Sequence, residues 1–109
     1  MTIEQTLHAL VSNINEIYGE LIVNIILYGS VARNEDTEES DIDVAVILKN
    51  GASPDMYDAL LDAVVDLELE CGKVLSVVRI DSEKYDSWNE TMPFYRNIKN
   101  DGVILWPAA

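Results

Sequence analysis

Two aspartates one residue apart, Asp41 and Asp43, stand at the head of the apolar run Val44-Ala45-Val46-Ile47-Leu48. In an extended chain alternate side chains point the same way, so both carboxylates face one side. Parallel carboxylates at that spacing want a divalent cation between them. Hard oxygen ligands of this kind suit Mg²⁺ or Mn²⁺, which bind through one or two carboxylates plus the phosphates of a substrate. Asp41 lies eleven residues past Ser30, where Gly29-Ser30 closes another apolar run, Leu21 to Tyr28, and leads into Val31-Ala32-Arg33, enough for one turn of helix. The first N–H groups of such a turn lack partners within it, and a glycine lets an anion approach the backbone. Gly-Ser alone is more often a plain strand-to-helix turn; with the two aspartates downstream, the halves describe a site for a metal-bound nucleotide.

Around this segment other residues divide into candidates and bystanders. Arg33 is open between touching phosphate and pairing with the acidic loop Asn34 to Ser40. Glu35, Asp36, Glu38 and Glu39 read as solvated loop charges, and the loop lacks the central glycine of an EF-hand. His8 reads as a half-exposed helix residue without a role, and Cys71 as a residue packed beneath a helix end. Trp88, Phe94, Tyr95 and Trp106 are core or partner-facing aromatics, two uses the sequence does not separate.

The elements that must position the acids follow from periodicity. Thr2 and Gln5 make a capping box, and Ile3, Leu7, Leu10, Val11, Ile14 and Ile17 recur at helical steps, predicting a helix over 3–18 that stops near Gly19. Leu21 to Tyr28 is apolar on both parities, as in a strand covered on both faces. Ile42 to Leu48 is the second strand. After Asn50-Gly51, Ser53 caps a helix with Pro54 at its first position, running to Cys71-Gly72. Lys73 to Ile80 is a third strand; Ser82 caps a short helix carrying Tyr85 and Trp88; Pro93 opens another ending at Asp101-Gly102; and Val103 to Trp106 is a short last strand stopped by Pro107. With no repeats or linkers, residues 1–109 are expected to form one domain, helices flanking a small mixed β-sheet, in the α/β or α+β class.

Composition bounds the partners. The chain has 109 residues, 49% hydrophobic and 25% charged, and its 7 Lys and Arg against 20 Asp and Glu give a net charge of −13. That much negative charge repels a phosphate backbone, excluding tight nonspecific nucleic-acid binding, while a basic protein, a metal ion or a metal-neutralised nucleotide remains compatible. One cysteine forbids an intrachain disulfide, and the longest apolar stretch is interrupted by Asn24 and too short for a bilayer. A soluble cytoplasmic protein with no membrane association is expected.

The quoted residues resemble the signature of the nucleotidyltransferase superfamily that includes DNA polymerase β: Gly-Ser at a strand end, a spacer, then Ser-Asp-x-Asp opening the next strand, here Gly29-Ser30 and Ser40-Asp41-Ile42-Asp43. The small size, Ala32-Arg33 after Gly-Ser, and the tail Phe94 to Gly102 are similar to the minimal nucleotidyltransferases of bacteria and archaea. The resemblance implies a polymerase β palm-like fold, with Asp41 and Asp43 catalytic and metal-binding and Gly29, Ser30, Arg33 and Ser40 in nucleotide binding. It also implies a substrate such as ATP with Mg²⁺, and pairing with a HEPN-type toxin for which such proteins act as antitoxin, some by moving AMP onto the toxin.

Two departures from the family pattern bear on activity. Asn34 stands where glycine is common, which a left-handed backbone would tolerate. The strand expected to supply a third carboxylate reads Lys73 to Ile80, with Ser76 in the acid's place; a hydroxyl is a neutral, weaker metal ligand. Glu68, Glu70 and Asp81 are near in sequence without an assigned place. Two functions are therefore carried forward: a nucleotidyltransferase acting on a protein hydroxyl, and an antitoxin of the same fold that neutralises its partner by binding alone.

Overall fold

The first helix shows how closely local chemistry sets the boundaries. Thr2 and Gln5 exchange reciprocal side-chain-to-backbone hydrogen bonds, opening α1 (Ile3–Tyr18), and Gly19 ends it at φ 55°. The computed structural model describes residues 1–107. A short 3₁₀ turn leads into β1 (Ile22–Tyr28), followed by the single turn α2 (Gly29–Ala32), which begins directly at Gly29. Next come β2 (Ile42–Leu48), α3 (Pro54–Cys71), β3 (Leu75–Asp81), α4 (Ser82–Trp88), α5 (Pro93–Asp101) and β4 (Val103–Trp106).

The strands form one sheet in the order β3-β2-β1-β4. β1 runs antiparallel to both β2 and β4, whereas β2 and β3 are parallel, joined by α3 as a crossover helix. β1 and β2 are the two interior strands, which is why both are apolar on both parities. The sheet is mixed and helix-flanked, as expected.

Parity divides the core into two layers. Ile25 and Leu27 of β1 and Ile42, Val44, Val46 and Leu48 of β2 pack against Leu7, Leu10 and Ile14 of α1 and Leu60, Val64 and Leu67 of α3. Ile26, Ala45, Ile47 and Ile80 face the other way, toward Ile98 of α5 and the rings of Tyr85 and Tyr95. Gly102 is required between α5 and β4, because a Cβ there would collide with the Ile98 carbonyl and the Ile26 side chain.

One expected cap is displaced by a residue. Ser82 is the first residue of α4 and Asp81 is its cap, the Asp81 carboxylate accepting from the Glu83 N–H at 2.9 Å and the Lys84 N–H at 3.2 Å. A carboxylate satisfies two helix-end donors at once, and its charge suits that end of the helix. Among the described residues, no helix is long and apolar enough to cross a membrane.

Candidate active site

Asp43 is the second residue of β2 and pairs across the sheet with Tyr28 on one side and Ser76 on the other. It shares the face of Ala45 and Ile47, so its carboxylate emerges beside α5. Asp41 precedes the strand by one residue, is exposed, and lies close enough for its charge to act on Asp43. Burial and then the Asp41 charge push the Asp43 carboxyl above the ordinary aspartate range, while the Arg33 charge and the Ser76 hydroxyl pull the other way. This is a like-charge pair with too little compensation from the protein, and a cation would relieve it. Hard carboxylate donors fit Mg²⁺ or Mn²⁺ in chemistry.

Gly29 lies against this carboxylate. It takes φ 75°, a left-handed value that favours glycine, and a Cβ built on it would overlap Oδ2 of Asp43. Strand end, helical turn and aspartate therefore meet in a packing that only glycine permits. The turn is tied by its carbonyls, which accept from following residues: Arg33 N–H donates to Gly29 O at 3.2 Å and Glu35 N–H to Ser30 O at 2.9 Å. Asn34 takes φ 57°, so the left-handed position where the family favours glycine is filled by a residue that tolerates it.

The remaining candidates are placed as follows. Arg33 donates from Nε to Glu35 at 3.1 Å and reaches Asp101 at 3.8 Å, so its head is shared between the acidic loop and the end of α5 while its charge still acts on Asp43. Ser40 closes the acidic loop, its Oγ accepting from the Thr37 N–H at 2.8 Å. Glu68 is held elsewhere: its carboxylate accepts from the Leu75 N–H at 2.9 Å, tying α3 to β3. Asp81 caps α4 at the other end of β3. Among the described residues no group of three His, Cys, Asp or Glu side chains is placed to hold a metal.

Tyr28 was not singled out by sequence reasoning, although it sits directly before Gly29-Ser30. Its ring packs edge-on against Phe94 of α5, with centroids 5.9 Å apart, and burial and then the Asp43 charge raise its hydroxyl pKa. The aromatic set continues through Tyr95 to Tyr85 and Trp88. Trp88, Phe94 and Trp106 stay 41%, 45% and 37% exposed, which makes them surface residues more than core.

Comparison with known proteins bears on the family and the fold. The family profile described as "Polymerase beta, Nucleotidyltransferase" matches residues 12–106. A protein of Methanocaldococcus jannaschii named "Putative protein adenylyltransferase" is 31% identical over 106 residues, which span 97% of this chain and 100% of that one. Among solved structures, a toxin-antitoxin structure with AMP-PNP superposes with a TM-score of 0.55 at 17% identity, covering 91% of this chain and 72% of that one. A Sulfolobus solfataricus protein described as a "putative nucleotidyltransferase" gives a TM-score of 0.54 at 19% identity, covering 95% and 85%.

Proposed function

Since the chain belongs to the polymerase β nucleotidyltransferase family, we propose that it transfers AMP from ATP to a hydroxyl of a protein partner, a HEPN-type toxin, and acts as that toxin's antitoxin in the cytoplasm. The observation that carries this reading is the meeting of Gly29 and the Asp41–Asp43 pair at one sheet end. The partner class rests on the family resemblance. The similarity to a protein with adenylyltransferase in its name supports the choice of AMP.

In this reading the turn at Gly29-Ser30 receives the phosphates, with Arg33 adding positive charge and Ser40 shaping the loop before Asp41. Asp41 and Asp43 hold Mg²⁺ or Mn²⁺, which when bound supplies counter-charge to the phosphates and to the leaving pyrophosphate. The acceptor hydroxyl attacks the α-phosphorus, the bond to the bridging oxygen breaks, pyrophosphate departs, and the hydroxyl proton passes to solvent. This chain's residues act chiefly by position: register fixes the Asp43 carboxylate, and the missing Cβ of Gly29 lets the turn close directly against it.

One observation favours the second reading, neutralisation by binding alone. Ser76 is the cross-strand neighbour of Asp43 on the strand expected to carry a third acid, so the site offers two carboxylates. Intact-mass analysis decides between them, using the HEPN-type protein co-expressed with this chain, ATP and Mg²⁺. Transfer predicts one added AMP per modified hydroxyl, abolished by EDTA. A stable complex with no mass change establishes binding alone.

A further inference from the structure

The opposite end of the same strands holds a second cluster of charge. Of seven Lys and Arg in a chain with twenty Asp and Glu, three line a single open groove of about 400 Å³ where β2 and β3 end: Lys49, Arg79 and Lys84. Gly51, Asp81 and Tyr95 are also in its wall. None of the three cations forms an ion pair among the described residues, whereas Arg33 and Lys99 do. Asp81 is engaged with the first N–H groups of α4. Carboxylates are abundant in this protein, yet the groove sets three cations against one carboxylate, Asp81.

Their placement is partly fixed. The Arg79 guanidinium lies 3.6 Å above the Tyr57 ring, a stack that orients the head without neutralising it. Lys49 is anchored by its backbone N–H to Leu21 O at 2.8 Å. Arg79 belongs to the strand parity that faces α1 and α3, while Lys84 comes from α4 on the opposite face, so the cations bracket the sheet end from both sides.

We propose that this groove binds a small polyphosphate anion, of the nucleoside polyphosphate or pyrophosphate class, without a metal. Guanidinium and ammonium groups together match phosphate oxygens through charge-assisted hydrogen bonds. The volume is within the range of small-ligand pockets, and Tyr95 supplies an aromatic wall for a base. The register from Asp43–Ser76 to Leu48–Asp81 separates the groove from the acid pair by roughly 16 Å at ~3.3 Å per residue, so the two sites do not overlap. The inference is independent of the transfer reaction, because it invokes neither the aspartates nor a metal.

Amide chemical-shift mapping on the full chain in EDTA at low ionic strength tests it, with ATP and sodium pyrophosphate titrated separately. Both should give saturable shifts at Lys49–Ala52 and Arg79–Lys84. Tighter binding of ATP with added shifts at Tyr95 assigns a nucleotide, and equal affinity without them assigns the pyrophosphate group. Combining Lys49→Gln with Lys84→Gln, at two exposed positions, should weaken binding by about tenfold or more and flatten its salt dependence, since the attraction is largely charge. The proposal is overturned by the absence of saturable shifts in the parent, by undiminished affinity in the double variant, or by shifts confined to Gly29–Arg33.

Discussion

The two ends of β2 are built on opposite principles. At the Asp43 end the charges are negative and set by backbone: strand pairing fixes Asp43 between Tyr28 and Ser76, and Gly29 closes against it with no room for a Cβ. At the Leu48 end the charges are positive and sit on long side chains from β2's exit, β3 and α4, with only Arg79 held by a stack. Short side chains on a register-locked strand hold their carboxylates with little freedom, which alignment of a reaction requires. Long, exposed cations adapt to their ligand and suit attraction of an anion more than alignment of a reaction. One sheet thus offers a rigid end and a compliant end.

Breaking the rigid end should have the largest effect. Asp41→Asn combined with Asp43→Asn keeps shape while removing both charges, and AMP transfer should fall by roughly a hundredfold or more, because several kcal/mol of charge stabilisation is lost. Circular dichroism and complex formation with the partner should be unchanged. Transfer at the parent rate would refute the site. If the double variant still protects cells from the toxin, binding suffices for antitoxin action; if protection is lost while the complex persists, transfer is the active step.

Gly29→Ala tests the packing that defines this end. It imposes a left-handed backbone on alanine and drives a methyl into the Asp43 carboxylate, so stability should fall by about 1–3 kcal/mol, seen as a lower Tm. Equal Tm values for parent and variant would mean that the turn is not tight.

Ser76→Asp sharpens the comparison by adding a third acid in register with Asp43. Thermal melts in EDTA should show a lower Tm from like-charge repulsion, recovered by Mg²⁺, and transfer should rise by about tenfold. A folded variant whose Tm ignores Mg²⁺ would show that Ser76 does not face the metal position.

The smallest effect is electrostatic. The folded-state pKa of Asp43 is raised by burial and Asp41, so its ionised form weakens the fold: stability is lost as pH rises from the unfolded value of ~4 through the folded one. Asp43→Asn alone should therefore raise Tm by a few degrees at neutral pH and leave it unchanged in acid, where the parent carboxyl is protonated in both states. A Tm gain equal at both pH values would point to packing instead of charge.

Much of this was legible in the chain itself. Capping chemistry at Thr2, Ser53 and Pro54, glycine stops, and the change from helical to strand periodicity marked nearly every element to within a residue or two, because those signals act between near neighbours in sequence. Alternation also put Asp41 and Asp43 on one side, and the apolar run on both parities marked Leu21 to Tyr28 as a strand covered on both faces, which the order β3-β2-β1-β4 bears out. Errors were equally local: the cap of α4 is Asp81, one residue earlier than Ser82, since either type can serve and only geometry chooses.

What tertiary structure alone decided was who stands beside whom. The parallel pairing of β3 with β2 puts Ser76 against Asp43, assigns Glu68 to the Leu75 N–H, and gathers Lys49, Arg79 and Lys84 at the far end. These residues are dozens of positions apart or carry no local pattern, and strand order and register come from packing α1 and α3 on one face and α4 and α5 on the other. Periodicity tells a segment which of its faces to bury; only the assembled sheet determines which neighbour that face meets.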